Sequence, residues 1–152
     1  MLTVEYVDNF VEFMEEVGQH FSDHYNSCED HVAANEILAV NPVLFQEAID
    51  AGVANVFKLK DEEAVVGYLN VSISPSLILT EPQAVVDFLY VLPEFREAGY
   101  GTQAIEAIEK ELKAEGMTRL TLMLPDKDYS EPVAKSLGYV KSSTIYNKYL
   151  GD

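Results

Sequence analysis

The densest chemistry in the sequence lies in Leu89-Tyr90-Val91-Leu92-Pro93-Glu94-Phe95-Arg96-Glu97-Ala98-Gly99-Tyr100-Gly101-Thr102. An apolar strand runs into a turn, and two glycines one residue apart open a strongly patterned helix. Gly99 and Gly101 let the backbone curl and let a ligand come close. The amides of such a turn and of a helix's first turn have no intrahelical partner, and the helix dipole adds partial positive charge. They converge into an anion site. Arg96 supplies the one fixed positive charge beside Glu94 and Glu97. A phosphate or pyrophosphate is the natural guest. A dinucleotide fingerprint requires a third glycine where Ala104 stands, and a nucleotide-hydrolase loop requires Gly-Lys-Ser/Thr, which the segment lacks. The glycines by themselves are also compatible with a plain loop-to-helix turn.

Upstream, Asp87 interrupts the apolar run Ala84-Val85-Val86-Asp87-Phe88-Leu89. A carboxylate there is costly unless it is solvated or paired. By the period of two it shares a strand side with Val91, four residues on. His20 and His24 are spaced to share a helix face, but His-x-x-x-His without a glutamate at the second position is a weak metal pattern, and no metal is expected. Cys28 has no basic activator beside it and is not read as a nucleophile.

These residues need a scaffold, and the apolar periodicity supplies one. A strand over Leu2–Tyr6 leads to a helix over Asp8–Phe21, whose Phe10, Phe13, Met14, Val17 and Phe21 fall at three- and four-residue steps. Asp8 or Asn9 can cap it. Ser22–Asp30 reads as a polar turn, Val32–Leu38 as helical, and Asn41-Pro42 as the restart of a helix that Gly52 ends. Strands come next at Val53–Leu59 and Val65–Ile73 around a Lys60–Glu63 turn, then at Ala84–Val91, a central strand buried on both faces. Thr102–Glu115 is the best-patterned helix. Leu120–Leu124 is a strand, Asp128–Leu137 a short helix with an Asp128/Glu131 capping box, and Val140–Leu150 one or two strands. With no repeat and no linker, residues 1–152 form one domain of an α/β (α+β) layer class.

Composition narrows the function. The 152 residues are 48% hydrophobic, enough for one sizeable core and too much for a disordered chain. No apolar run approaches the roughly 20 residues that span a bilayer, and the basic start of a signal peptide is missing. A single cysteine excludes an intrachain disulfide and makes a reducing, cytoplasmic setting the expectation. The formal net charge is −16, and residues 1–92 carry 16 acids against 2 bases. Such a field repels nucleic acid and anionic membranes and attracts cations. Direct nucleic-acid and membrane partners are therefore not expected, although acidity also serves solubility.

The pattern Val91-x-Pro93-x-x-Arg96-x-x-Gly99-x-Gly101-Thr102 resembles the acyl-coenzyme-A signature of the GNAT superfamily, the Gcn5-related N-acetyltransferases. Leu137-Gly138-Tyr139 stands where that family often has Leu-Gly-Phe, and the likeness covers nearly the whole chain. The resemblance implies a mixed, centrally splayed sheet flanked by about four helices. It implies that the backbone of Arg96, Glu97, Ala98, Gly99, Tyr100, Gly101 and Thr102 holds the pyrophosphate of acetyl-CoA, with pantetheine slotted beside Leu89 and Val91. It also implies that the segment after the first helix lines the acceptor pocket, which makes His24 and Tyr25 substrate-binding candidates.

The chain departs from the family at Ala134, where many members carry a tyrosine that protonates the leaving thiolate, and at Lys127, where an asparagine is frequent. Tyr129 and Tyr146 are the remaining hydroxyl candidates, beside water, and Ser130 lies one turn before Ala134. Attack of an amine on a thioester needs a neutral amine, and Asp87 is the leading group to deprotonate or orient it. The expected function is acetyl transfer from acetyl-CoA to a cationic amine, on a small molecule or a basic protein. The competing expectation is a GNAT-fold acidic protein with little or no turnover that occupies a basic surface of a partner. A homodimer through the carboxyl-terminal strand is compatible with either.

Overall fold

The computed structural model describes residues 1–28, 40–125, 127–146, 148 and 150, without the side chains of 22 and 25–28. The helix expected at Val32–Leu38 lies outside the described residues. Five strands form one sheet in the order β1 (Leu2–Tyr6), β2 (Ala54–Asp61), β3 (Ala64–Ser74), β4 (Gln83–Val91) and β5 (Leu120–Leu122). The first four pair antiparallel, and β5 joins β4 in parallel. One face carries α1 (Phe10–Cys28) and α2 (Pro42–Asp50), and the other carries α3 (Tyr100–Ala114). Phe10, Phe13, Val17 and Phe21 of α1 bury against Val56, Tyr68 and Tyr90. Ala104, Ile108 and Leu112 of α3 bury against Leu59, Leu69, Val71 and Val86. Each of the larger side chains contributes about 1.5–3 kcal/mol when taken out of water.

Local chemistry explains the boundaries. Asn9 is the cap of α1, its Oδ1 accepting from the amides of Val11 and Glu12, and Asn41 caps α2 ahead of Pro42 in the same way. The polar segment after Phe21, expected as a turn, continues α1 through Cys28. Buried His24 extends the apolar stripe by one more three-residue step, and that packing outweighs the weak helix propensity of Ser22, Asp23 and Asn26.

Two irregularities shape the sheet around β4. The β3–β4 register passes from Asn70↔Phe88 to Val71↔Val86, which leaves Asp87 as an extra residue in β4. The parallel pairing of β4 with β5 covers only Ala84–Val86, closes with Met123 N–H on the Val86 carbonyl, and stops. Among the described residues β4 runs on to Val91 without a strand on that side, so the sheet splays.

The last helix, α4 (Ser130–Ser136), starts two residues later than expected. No side-chain cap forms at its start. Ser130 is buried and its hydroxyl donates to the Pro125 carbonyl. Among the described residues of 140–150 there is no strand, contrary to expectation, and Val140 and Tyr146 are 88% and 90% exposed. No helix among the described residues is long and apolar enough to cross a membrane.

Candidate active site

Beyond Val91 the chain turns through a 3-10 helix, Pro93–Ala98, and Gly99 joins it to α3. Gly99 has φ +74°, the left-handed conformation that costs an L side chain about 1–2 kcal/mol. The first intrahelical bond of α3 is Gln103 N–H to the Gly99 carbonyl. The amides of Tyr100, Gly101 and Thr102 precede it, and Gly99 brings no capping side chain. A Cβ on Gly101 would stand 3.7 Å from Leu89 and 3.8 Å from Val91. The bare start of α3 therefore faces the part of β4 that β5 has left. An extended chain can lie along that open stretch of β4 with an anion on the three amides, so the residues fit a phosphorylated thioester carrier such as acetyl-CoA.

Arg96 is exposed but not loose. Its Nε donates to the Val91 carbonyl at 3.0 Å, and its guanidinium lies 5.2 Å from the centre of the Tyr90 ring. Glu97 and Ala98 are exposed beside it. Tyr100 is committed elsewhere: its hydroxyl donates to Asp61 at 2.5 Å, across to the β2–β3 hairpin, which raises the phenol's pKa and lowers that of the carboxyl. What Tyr100 offers an anion is its backbone amide.

His24 is buried on the opposite face, stacked 4.7 Å from Tyr90, with Nδ1 3.0 Å from the Tyr68 hydroxyl. Burial, and then the charge of Arg96, push its pKa down to about 4. His24 is thus a neutral imidazole linked through Tyr90 to Arg96. Tyr25, its expected companion, has a side chain outside the described residues.

Asp87 is not on the side of Val91. The extra residue in β4 breaks the period of two and turns its carboxylate to the α1 face. There Asn70 Nδ2 donates to Oδ1 at 2.7 Å and Ser72 Oγ to Oδ2 at 2.5 Å. Sequence reasoning misses both Asn70 and Ser72. Their one signal is Tyr68-x-Asn70-x-Ser72, polar groups on one side of an otherwise apolar strand. Tyr129 immediately precedes α4 and is half exposed, while Tyr146 lies in the segment without regular secondary structure after it. The structure brings Arg96, Gly99, Gly101, Leu89 and Val91 to one opening, and His24 to the same region through Tyr90. It places Tyr146 in solvent. An open cleft of about 670 Å³ between the end of α3, β5 and Leu137-Gly138-Tyr139 contains none of these residues.

Residues 12–139 match the acetyltransferase (GNAT) family. No curated protein matches the sequence. Among solved structures, the chain is similar to an aminoglycoside acetyltransferase from an uncultured soil metagenomic sample, in complex with sisomicin, at TM-score 0.79 and 16% identity, over 99% of this chain and 97% of that one. A ribosomal-protein-alanine N-acetyltransferase from Brucella melitensis superposes at TM-score 0.78 and 11% identity, over 100% and 99% of the two chains. A predicted acetyltransferase from Clostridium acetobutylicum, solved with acetyl-CoA, gives TM-score 0.68 and 11% identity, over 99% and 97%.

Proposed function

The chain belongs to the acetyltransferase (GNAT) family, and from that membership we propose that it transfers the acetyl group of acetyl-CoA to a cationic amine. The observation that carries the proposal is the meeting of two features at one opening: the stretch of β4 left unpaired by β5, and the uncapped amides of Tyr100–Thr102. Bound there, acetyl-CoA supplies an activated acyl group on sulfur. The ammonium first loses a proton to water, the neutral nitrogen bonds to the acyl carbon, the C–S bond breaks, and the nitrogen passes a second proton to water. Asp87, a carboxylate on the α1 face, draws the ammonium in and orients it. Ala134 brings no hydroxyl to α4, and a thiol of pKa about 8.5 leaves as a fairly stable anion near neutral pH, so water serves as its proton source. Tyr129 and Tyr146 are not required for that step.

Titration calorimetry tests the first half: acetyl-CoA should bind 1:1, and Arg96→Ala should weaken it about tenfold, because a charge-assisted hydrogen bond is worth about 1.5–3 kcal/mol. Absence of binding at millimolar CoA would sink the proposal. A free-thiol assay with sisomicin, spermidine and a basic alanine-initiated peptide tests the second half. A preference for an anionic acceptor contradicts it. Ala134 together with the net charge of −16 favours a second function, an acidic protein that occupies a basic partner surface without turnover. The same assay separates the two, since only the enzyme releases CoA thiol in the presence of amine.

A further inference from the structure

We propose that Asn70 is the positioning residue of the acceptor site, fixing the Asp87 carboxylate that receives the amine; this rests on the acetyl-transfer function proposed above. Leu69 and Val71 point into the α3-side core, so Asn70 between them faces α1, where it is 2% exposed. Its orientation is determined by chemistry. The Asn55 backbone N–H, which can only donate, lies 3.0 Å from Oδ1, so Nδ2 must face the other way. Nδ2 then reaches both Asp87 Oδ1, at 2.7 Å, and Ser72 Oγ, at 3.1 Å. Ser72 Oγ in turn donates to Asp87 Oδ2. Asn55 is itself tied down by its Nδ2 on the Val71 carbonyl at 3.0 Å. The carboxylate thus has one donor on each oxygen, both delivered from β3, at the point where the extra residue in β4 lets it turn toward them.

A polar cluster serving stability alone would be expected to neutralise its charge. This one does not. Among the described residues Asp87 has no ion-pair partner, and its half-buried charge is met only by neutral amide and hydroxyl dipoles. Two of its lone-pair directions are taken by these donors, and the rest are left for a ligand. The ligand that completes such a site is a cation that donates hydrogen bonds, which is what a protonated amine is.

The experiment is a double-mutant cycle read on whichever of sisomicin, spermidine and the alanine-initiated peptide turns over best. Asn70→Ala should lower the acceptor's kcat/KM about tenfold and leave the acetyl-CoA Kd within about twofold. In the Asp87→Ala background it should cost nothing further, because it acts through Asp87. Ser72→Ala should show the same pattern with a smaller loss, and it decides the matter if Asn70→Ala does not fold. Losses that add to that of Asp87→Ala, or a matching loss of acetyl-CoA affinity, would overturn the positioning role while leaving the acetyl-transfer function standing. Wild-type protein that binds acetyl-CoA and acetylates none of the three amines would overturn both.

Discussion

The burial of His24 against Tyr68 and Tyr90, with Arg96 close by, sets its pKa at about 4, against 6.5 for a free imidazole. The consequence is a stability contribution of known sign. As pH falls below 6.5 the unfolded chain takes up a proton that the folded chain refuses until about pH 4. Stability is therefore full above 6.5 and drains away between the two values. For this one group the loss from pH 7 to pH 5 is about 2 kcal/mol. Urea unfolding of wild-type and His24→Gln protein at both pH values checks it. The variant keeps a polar group for the Tyr68 hydroxyl and loses the titration, so its stability should fall less over the interval by about that amount. Equal slopes would show that the imidazole protonates in the folded protein near its ordinary value. The same neutral ring lets Tyr90 stack on one side of the cluster while Arg96 lies against the tyrosine. A charged ring there would repel the arginine.

Between neighbouring strands, the decisive contact is made by a residue with no side chain. Gly67 in β3 faces Val91, and a Cβ built on it would stand 2.3 Å from the Tyr90 carbonyl oxygen and 3.1 Å from the Val91 Cα. The end of β4 can approach this closely only because nothing is there. Gly67→Ala must displace the backbone that delivers Tyr90, Val91 and the turn carrying Arg96. It should cost about 1–3 kcal/mol of stability, as overpacking does, and weaken acetyl-CoA binding in parallel. Denaturant midpoints and calorimetry on the variant check both, and an unchanged midpoint would mean that β4 sits elsewhere. Sequence patterning reaches the elements well. The stripe of α1, the strand–turn–helix around Arg96, Gly99 and Gly101, and the α3 face of Ile105, Ile108 and Leu112 are all legible from spacing, because each is a local periodicity. The side of the sheet that Asp87 occupies is not. One inserted residue reverses a period of two, and only the partner strand reveals it. The described residues of 140–150 mislead for a related reason: β-branched and aromatic residues such as Val140, Thr144, Ile145 and Tyr146 form a strand only when another strand is there to pair with them.

Over the whole molecule the charge is divided as unevenly as the chemistry. Residues 1–92, which contribute α1, α2 and the Asp87 site, hold 16 acids and 2 bases, whereas residues 93–152, which contribute the Arg96 turn and α3, hold 10 acids and 8 bases. On the proposed function, an anionic thioester carrier would meet a nearly neutral half of the chain and a cationic amine the acidic half. Screening should act on the two substrates differently. The Debye length shrinks from about 30 Å at 10 mM salt to about 8 Å at 150 mM. At low salt the field of the acidic half therefore reaches well beyond the contacts at Asp87, and at high salt it does not. Acceptor kcat/KM for spermidine should fall several-fold over that range, on the order of fivefold, because the field raises the local concentration of cations and the rate of encounter. The acetyl-CoA Kd should change little, because the half of the chain proposed to hold it carries 10 acids against 8 bases. Steady-state kinetics at fixed saturating acetyl-CoA, paired with calorimetry across the same salt series, measures both slopes on one protein. A field felt equally by both substrates would weaken the cation's binding and tighten the anion's by comparable factors, so a steep spermidine slope beside a nearly flat acetyl-CoA slope is the signature of two differently charged halves. A spermidine slope as flat as that of acetyl-CoA would mean that the acids act as a solubilising coat away from the path of the acceptor, leaving the immediate donors and acceptors around Asp87 to select the amine.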